Sequence, residues 1–177
     1  MFRSFAAALA IVGGVLFSFS AQAQDADNTL YIDLKDGRVE IELLPDVAPK
    51  HVERIKTLAN QGFYDGIVFH RVIDGFMAQT GDPTGTGRGG SDLPDLPAEF
   101  SKVPFERGTL GMARSASPDS ANSQFFIMFD NGSFLNGKYT VFGQVTSGME
   151  FVDKIKRGEP VRNPDKIIKM RVASHDD

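Results

Sequence analysis

Along most of the chain, apolar and polar residues alternate at the two-residue spacing of a half-buried β-strand. Residues 30–35 and 38–43 do so on either side of Asp36-Gly37. A DG pair between extended runs predicts a hairpin with a type I′ turn, because glycine tolerates positive φ. Between 48 and 60 the period becomes helical: Pro49 falls in the first turn, Val52, Ile55, Leu58 and Ala59 form one stripe, and Gly62 lies just past the end. Further β-type runs cover 67–72, 76–80, 109–113, 124–129, 140–145 and 167–172, with Asp74-Gly75 turning the chain between the first two. A second helix is predicted over 148–157, where Met149, Val152 and Ile155 recur at helical spacing. The stretch 81–97, dense in Gly, Pro, Asp and Ser, and the small polar stretch 115–122 predict loops. Many short strands with two helices suggest a closed or nearly closed β-barrel, since closure removes exposed edges.

The N-terminus departs from this pattern. Arg3 is followed by an apolar run over 5–19 and then by Ala21-Gln22-Ala23. A positive start, a short apolar run and a small-x-small site predict a secretory signal peptide over 1–23, cleaved after Ala23. The run is short for a membrane span and no basic stop-transfer cluster follows, so no membrane association is expected after cleavage. Residues 24–29 are expected to be a flexible N-terminus, 30–173 one domain, and 174–177 a flexible C-terminus.

Composition narrows the chemistry. The chain has 177 residues, 41% of them hydrophobic, and a net charge of −4. That balance supports one sizeable core and gives no basic excess for a nucleic-acid partner. There is no Cys, which excludes disulfides, thiolate nucleophiles and cysteine-ligated metals. Export without disulfides suggests a bacterial periplasm or the extracellular space. There is also no Trp, against 15 Phe.

Motifs exclude more than they assign. Gly85, Gly87 and Gly90 fit G-x-G-x-x-G, but Pro94 and Pro97 follow too soon for the helix that a dinucleotide site needs. His51, His70 and His175 show no metal-ligand spacing, so no metal site is expected. His70 falls within a β-type run and reads as a packed, hydrogen-bonded residue rather than a base. Asn131-Gly132-Ser133 is a glycosylation sequon by letter only. Strand alternation says more. Met77 shares a face with Gln79, and Gln124 with Phe126, opposite the all-apolar set Phe125, Ile127 and Phe129. Arg71 lies opposite Val68, His70 and Val72. An arginine with two amides beside large apolar groups suggests a mixed groove suited to an extended peptide.

Phe69-His70-Arg71-Val72-Ile73-Asp74-Gly75-Phe76-Met77-Ala78-Gln79 closely resembles the cyclophilin signature F-H-R-V-I-x-G-F-M-x-Q. Further matches follow in the family's order: Gly81-Asp82 with the Gly-rich loop to Gly90, residues 108–113, Ser123-Gln124-Phe125-Phe126-Ile127, Phe134-Leu135, and Val141-Phe142-Gly143. The resemblance covers residues 30–172. It implies a peptidyl-prolyl cis–trans isomerase on a closed eight-stranded antiparallel β-barrel capped by two α-helices, similar to the small exported bacterial members and hence periplasmic. It implies no cofactor, and proline-containing unfolded or flexible polypeptides as substrates. By the same resemblance Arg71 is the catalytic arginine. Phe76, Met77, Phe126 and Leu135 line the proline pocket, Gln79 and Gln124 hold substrate backbone, and Gly87, Ala113 and Arg114 form the neighbouring rim.

Three departures from the family pattern stand out. Phe134 replaces a frequent Trp associated with cyclosporin binding, which implies weak cyclosporin affinity. Tyr139 replaces a frequent His, and Arg114-Ser115 replaces a frequent Asn-Ala, which could favour acidic residues beside the substrate proline. A holdase chaperone is the rival reading; a pure binder would not need Arg71, Phe76, Gln79, Gln124 and Phe126 together. A lipocalin-like carrier fails because the inward faces are filled by Phe, Ile and Val. A monomer is the expected state.

Overall fold

The computed structural model describes residues 26–176; the predicted signal peptide and cleavage site lie outside them. Eight strands form one antiparallel sheet: β1 (Thr29–Leu34), β2 (Gly37–Leu43), β3 (Arg71–Ile73), β4 (Met77–Thr80), β5 (Thr109–Met112), β6 (Phe125–Met128), β7 (Val141–Ser147) and β8 (Lys169–Val172). Their spatial order is β3-β4-β6-β5-β7-β2-β1-β8. Two α-helices begin and end within the described residues: α1 (Pro49–Asn60) and α2 (Met149–Val152).

The first hairpin shows how alternation becomes register. Leu30 pairs with Ile41 and Ile32 with Val39, and all four are fully buried. The turn sits one residue earlier than the DG pair predicts. Leu34 pairs with Gly37, so Lys35 and Asp36 make the loop, and neither has positive φ. Gly37, at φ 152°, instead opens β2 against the Phe151 ring; a Cβ there would come within 2.5 Å of the ring. Its positive φ and its contact with a distant aromatic both require glycine there.

Helix α1 buries Val52, Ile55, Leu58 and Ala59 as its stripe predicts. No side chain of its own caps its N-terminus. The Glu99 carboxylate, from a loop, accepts from the backbone N–H of Lys50 and His51 at 3.2 and 3.1 Å, and lies 2.6 Å from His51 Nδ1. An anion is favoured there, where free N–H groups and the helix dipole coincide.

The sheet is an open, strongly curled half-barrel, not the closed barrel expected. No ladder joins β3 to β8. The predicted strand over 67–72 survives only as its end, Arg71–Ile73, and the helix predicted to reach 157 stops at Val152. Both have one cause. The chain after α2 must run back beside residues 66–72, where it makes isolated bridges, Val68 with Lys166 and Val72 with Gly158. Pro160 and Pro164 in that segment lack the N–H a continuous ladder requires.

The concave side is filled by Leu30, Ile32, Ile41, Ile55, Leu110, Phe125, Ile127 and Phe142, among others. That packing leaves the lipocalin-like reading without support. A second, smaller cluster of Met77, Phe105, Phe126, Met128, Leu135 and Val141 forms on the other side of the same strands. β6 is therefore buried on both faces.

Candidate active site

Antiparallel register places one row of residues across four strands: Arg71 opposite Gln79, Gln79 opposite Phe126, and Phe126 opposite Gly111. All lie on the convex side. Gly111 is required by close approach, since a Cβ there would meet the rings of Phe105 and Phe126 at 2.5 Å. Those two rings stack with centroids 5.7 Å apart, so that Phe126 forms the floor and Phe105 backs it.

Above that floor opens a pocket of about 420 Å³, lined by Arg71, Phe76, Met77, Gln79, Ala113, Arg114, Phe126, Phe134, Leu135 and Tyr139. Its walls come from several elements. Phe134 and Leu135 sit on a 3-10 turn, Ser133–Leu135, and Phe134 packs on Phe76 with centroids 5.4 Å apart. Tyr139 meets Phe126 edge-on at 6.0 Å. The Arg114 guanidinium lies 4.4 Å over the Tyr139 ring and donates through Nη2 to the Lys138 carbonyl at 2.8 Å. Arg114 is thus a packed wall of the pocket as well as a charge at its rim.

A second depression of about 540 Å³ adjoins it, lined by polar groups that include Arg88, Asp95, Asn122 and Gln124. Gln79, Ala113 and Arg114 line both and form the ridge between them. Gly87 and Gln124 belong only to this polar side. The predicted residues therefore come together, divided between an apolar pocket and a polar neighbour.

A run of hydrogen bonds orients the polar groups. Arg71 Nη1 donates to Gln79 Oε1 at 3.4 Å, Gln79 Nε2 to Gln124 Oε1 at 2.9 Å, and Gln124 Nε2 to the Gly89 carbonyl at 2.8 Å. Each amide is fixed by a partner on either side. The run ends on the Gly-rich loop, which Asp82 holds in shape. Its carboxylate accepts from the Thr84 hydroxyl and N–H at 2.8 and 2.7 Å, and from the N–H of Thr86 and Gly87 at 3.0 and 2.6 Å. Burial alone would raise this carboxyl; the donors from Thr84, Gly89 and Gly87 outweigh it and hold its pKa at about 2.

His70 is packed as expected, but not hydrogen-bonded. Both ring nitrogens are buried without a partner among the described residues. Burial pushes its pKa down, with Asp82 opposing and Arg71 adding to the shift, so the ring is neutral at pH 7. Sequence reasoning missed Phe105, which supports the floor, and Glu159, whose Oε1 accepts from Arg71 Nε at 2.5 Å. Glu159 is 88 positions away from Arg71, and no local pattern marks it.

Residues 29–174 match the cyclophilin type peptidyl-prolyl cis-trans isomerase/CLD family. The chain belongs to the cyclophilin family. It is 58% identical to a probable peptidyl-prolyl cis-trans isomerase of Brucella suis, covering 88% of this chain and 87% of that one. Identity to peptidyl-prolyl cis-trans isomerase B of Bacillus subtilis is 46%, over 76% of this chain and 94% of the relative. In structure it is similar to a cyclophilin from Hirschia baltica, with TM-score 0.79 and 29% identity, covering 93% of this chain and 82% of that one. A Cryptosporidium parvum cyclophilin, crystallised in the presence of the dipeptide Ala-Pro, gives TM-score 0.76 and 29% identity, covering 81% of this chain and 98% of that one. This cyclophilin is a peptidyl-prolyl cis–trans isomerase.

Asp82 gives the site a pH-dependent element. Its folded pKa lies below the ordinary carboxylate value, so its stabilisation is present above about pH 4 and is lost as the pH falls through about 2. Asp82→Asn should cost about 2 kcal/mol at pH 7. In urea titrations at a series of pH values, the gap between variant and wild type should close between about pH 4 and pH 2. A gap independent of pH would remove the carboxylate from this role.

Proposed function

We propose that this cyclophilin isomerises Xaa–Pro bonds in unfolded or flexible exported polypeptides, with Arg71 as the catalytic residue. The observation that carries the proposal is the Arg71 guanidinium at the mouth of an aromatic pocket large enough for a proline ring, with its orientation fixed by Gln79 and Glu159. Phe76, Met77, Phe126 and Leu135 would hold the ring. Gln79 and Gln124 would hold substrate backbone, and the polar depression beyond the ridge would take residues N-terminal to the proline. The Cryptosporidium relative was crystallised in the presence of a dipeptide of this kind, Ala-Pro.

The chemistry follows from amide resonance. Nitrogen donates its lone pair into the carbonyl, and the resulting barrier of about 18–20 kcal/mol makes rotation slow enough to limit folding. In the twisted transition state the nitrogen becomes pyramidal and its lone pair localises. A guanidinium N–H aimed at that nitrogen, or at the substrate carbonyl, binds the twisted state better than either planar state. Arginine suits this role because it remains charged and carries rigidly arranged donors. The apolar floor adds a second effect: it excludes water that would stabilise the charge-separated resonance form. No bond is cleaved, and the role given to Arg71 requires no proton transfer.

Export belongs to the same proposal and rests on Arg3, the apolar run and Ala21-Gln22-Ala23, which suit a periplasmic folding helper. Weak cyclosporin binding belongs to it as well. Phe134, 59% exposed at the rim, has no N–H to donate where an indole would have one.

Exchange NMR on an Ala-Pro peptide tests catalysis. Wild type should accelerate cis–trans exchange, and Arg71→Ala should lose at least about a hundredfold in kcat/KM while still binding the peptide. Unchanged exchange with wild type present would reject the enzyme reading. N-terminal sequencing of the exported protein should begin at Gln24; an intact Met1 would reject the signal peptide. In a cyclosporin titration, Phe134→Trp should tighten binding at least about tenfold over wild type. Equal affinities would remove Phe134 from that role.

A further inference from the structure

The guanidinium of Arg71 has a partner on the side that the catalytic reading leaves unused. Nε donates to Glu159 Oε1 at 2.5 Å, and Nη1 donates to Gln79 Oε1 at 3.4 Å. Among the described residues no partner engages Nη2. The carboxylate is carried by a backbone that is itself held in place. Val72 and Gly158 exchange two N–H···O=C bonds, both 2.8 Å, and the Val161 N–H donates to the His70 carbonyl at 3.2 Å. These bonds grip the residues on either side of Arg71 and set Glu159 opposite it. The open edge of the half-barrel, closed only by isolated bridges, is what brings this acid to the site.

We infer that Glu159 is a positioning residue for the isomerisation: by accepting from Nε, it fixes the guanidinium plane so that Nη2 is presented to the pocket mouth. This rests on the catalytic reading of Arg71. An arginine side chain has several rotatable bonds, and a pocket that acts by aiming a donor loses rate when the donor samples other rotamers. The Arg71 side chain is 37% exposed and that of Glu159 is 58% exposed. A pair this wet adds little to fold stability. Its effect should therefore appear in turnover rather than in melting temperature. Glutamine at 159 keeps the accepting oxygen and so preserves most of the function.

The test uses Glu159→Ala and Glu159→Gln, with kcat and KM on an Ala-Pro peptide, Tm, and the ¹⁵N-detected Nε–H signal of Arg71. Glu159→Ala should lower kcat roughly fivefold with KM and Tm unchanged, while the Arg71 Nε–H exchanges faster with water. Glu159→Gln should recover most of the rate. A Glu159→Ala kcat equal to or above wild type overturns the inference, as does a fall in kcat with the Arg71 signal unmoved. Arg71→Ala separates the two failures. Full activity in Arg71→Ala overturns the catalytic reading and the inference with it. An inactive Arg71→Ala beside a fully active Glu159→Ala overturns the inference alone.

Discussion

Strand β6 must satisfy two cores at once, and the site depends on it. Phe125 and Ile127 face the concave core, while Phe126 and Met128 face the smaller cluster beneath the pocket. A strand buried on both faces cannot slip by one residue without exchanging the two sets. That constraint fixes the register of its neighbours, and the register draws Arg71, Gln79, Phe126 and Gly111 into one row. The pocket floor is therefore an extension of the sheet, and it inherits the stiffness of close packing. A loop-borne floor would not hold Arg71 and the ring of Phe126 at a fixed separation.

What was legible in the sequence followed from local periodicity. Alternation in 30–43 and the stripe Val52, Ile55, Leu58 and Ala59 appear in the structure almost unchanged. Pairing Gln79 with Met77 and Gln124 with Phe126 on outward faces led to the groove, because period two decides facing without knowledge of the partner strand. The misreadings were long-range. The DG turn moved because Phe151 packs on Gly37. The strand over 67–72 and the second helix were cut short by one crossing segment that neither reveals. Asp82 lay within the matched motif, yet its task, accepting several donors from one loop, shows only in three dimensions. Phe105 and Glu159 had no signal at all, since each acts through a partner far away in sequence.

The polar side of the site is organised by the same logic as its floor. Gln79 and Gln124 each donate and accept along one line, which leaves neither amide free to flip. The line is anchored by a loop that a single carboxylate wraps, with its pKa held at about 2. Across physiological pH that carboxylate stays charged, so the scaffold does not titrate where the enzyme works. His70, next to the arginine, stays neutral by burial. A protonated imidazole there would place a second positive charge beside Arg71 and weaken its placement.

Preorganisation is the main resource available to such an enzyme. Rotation about an amide makes and breaks no bond to a protein atom, so rate can come only from binding the twisted state better than the planar ones. Each 1.36 kcal/mol of that preference is worth about tenfold. A mobile donor would spend much of this preference on becoming ordered in the transition state. Under the proposed mechanism, a guanidinium held in advance by Gln79 on one side and Glu159 on the other would meet the localising lone pair without that cost. Under the same mechanism the apolar floor would work from the opposite end, destabilising the resonance form that keeps the substrate planar. The two effects need different surroundings, one charged and one dry. The row from Arg71 to Phe126 supplies both within three adjacent strands.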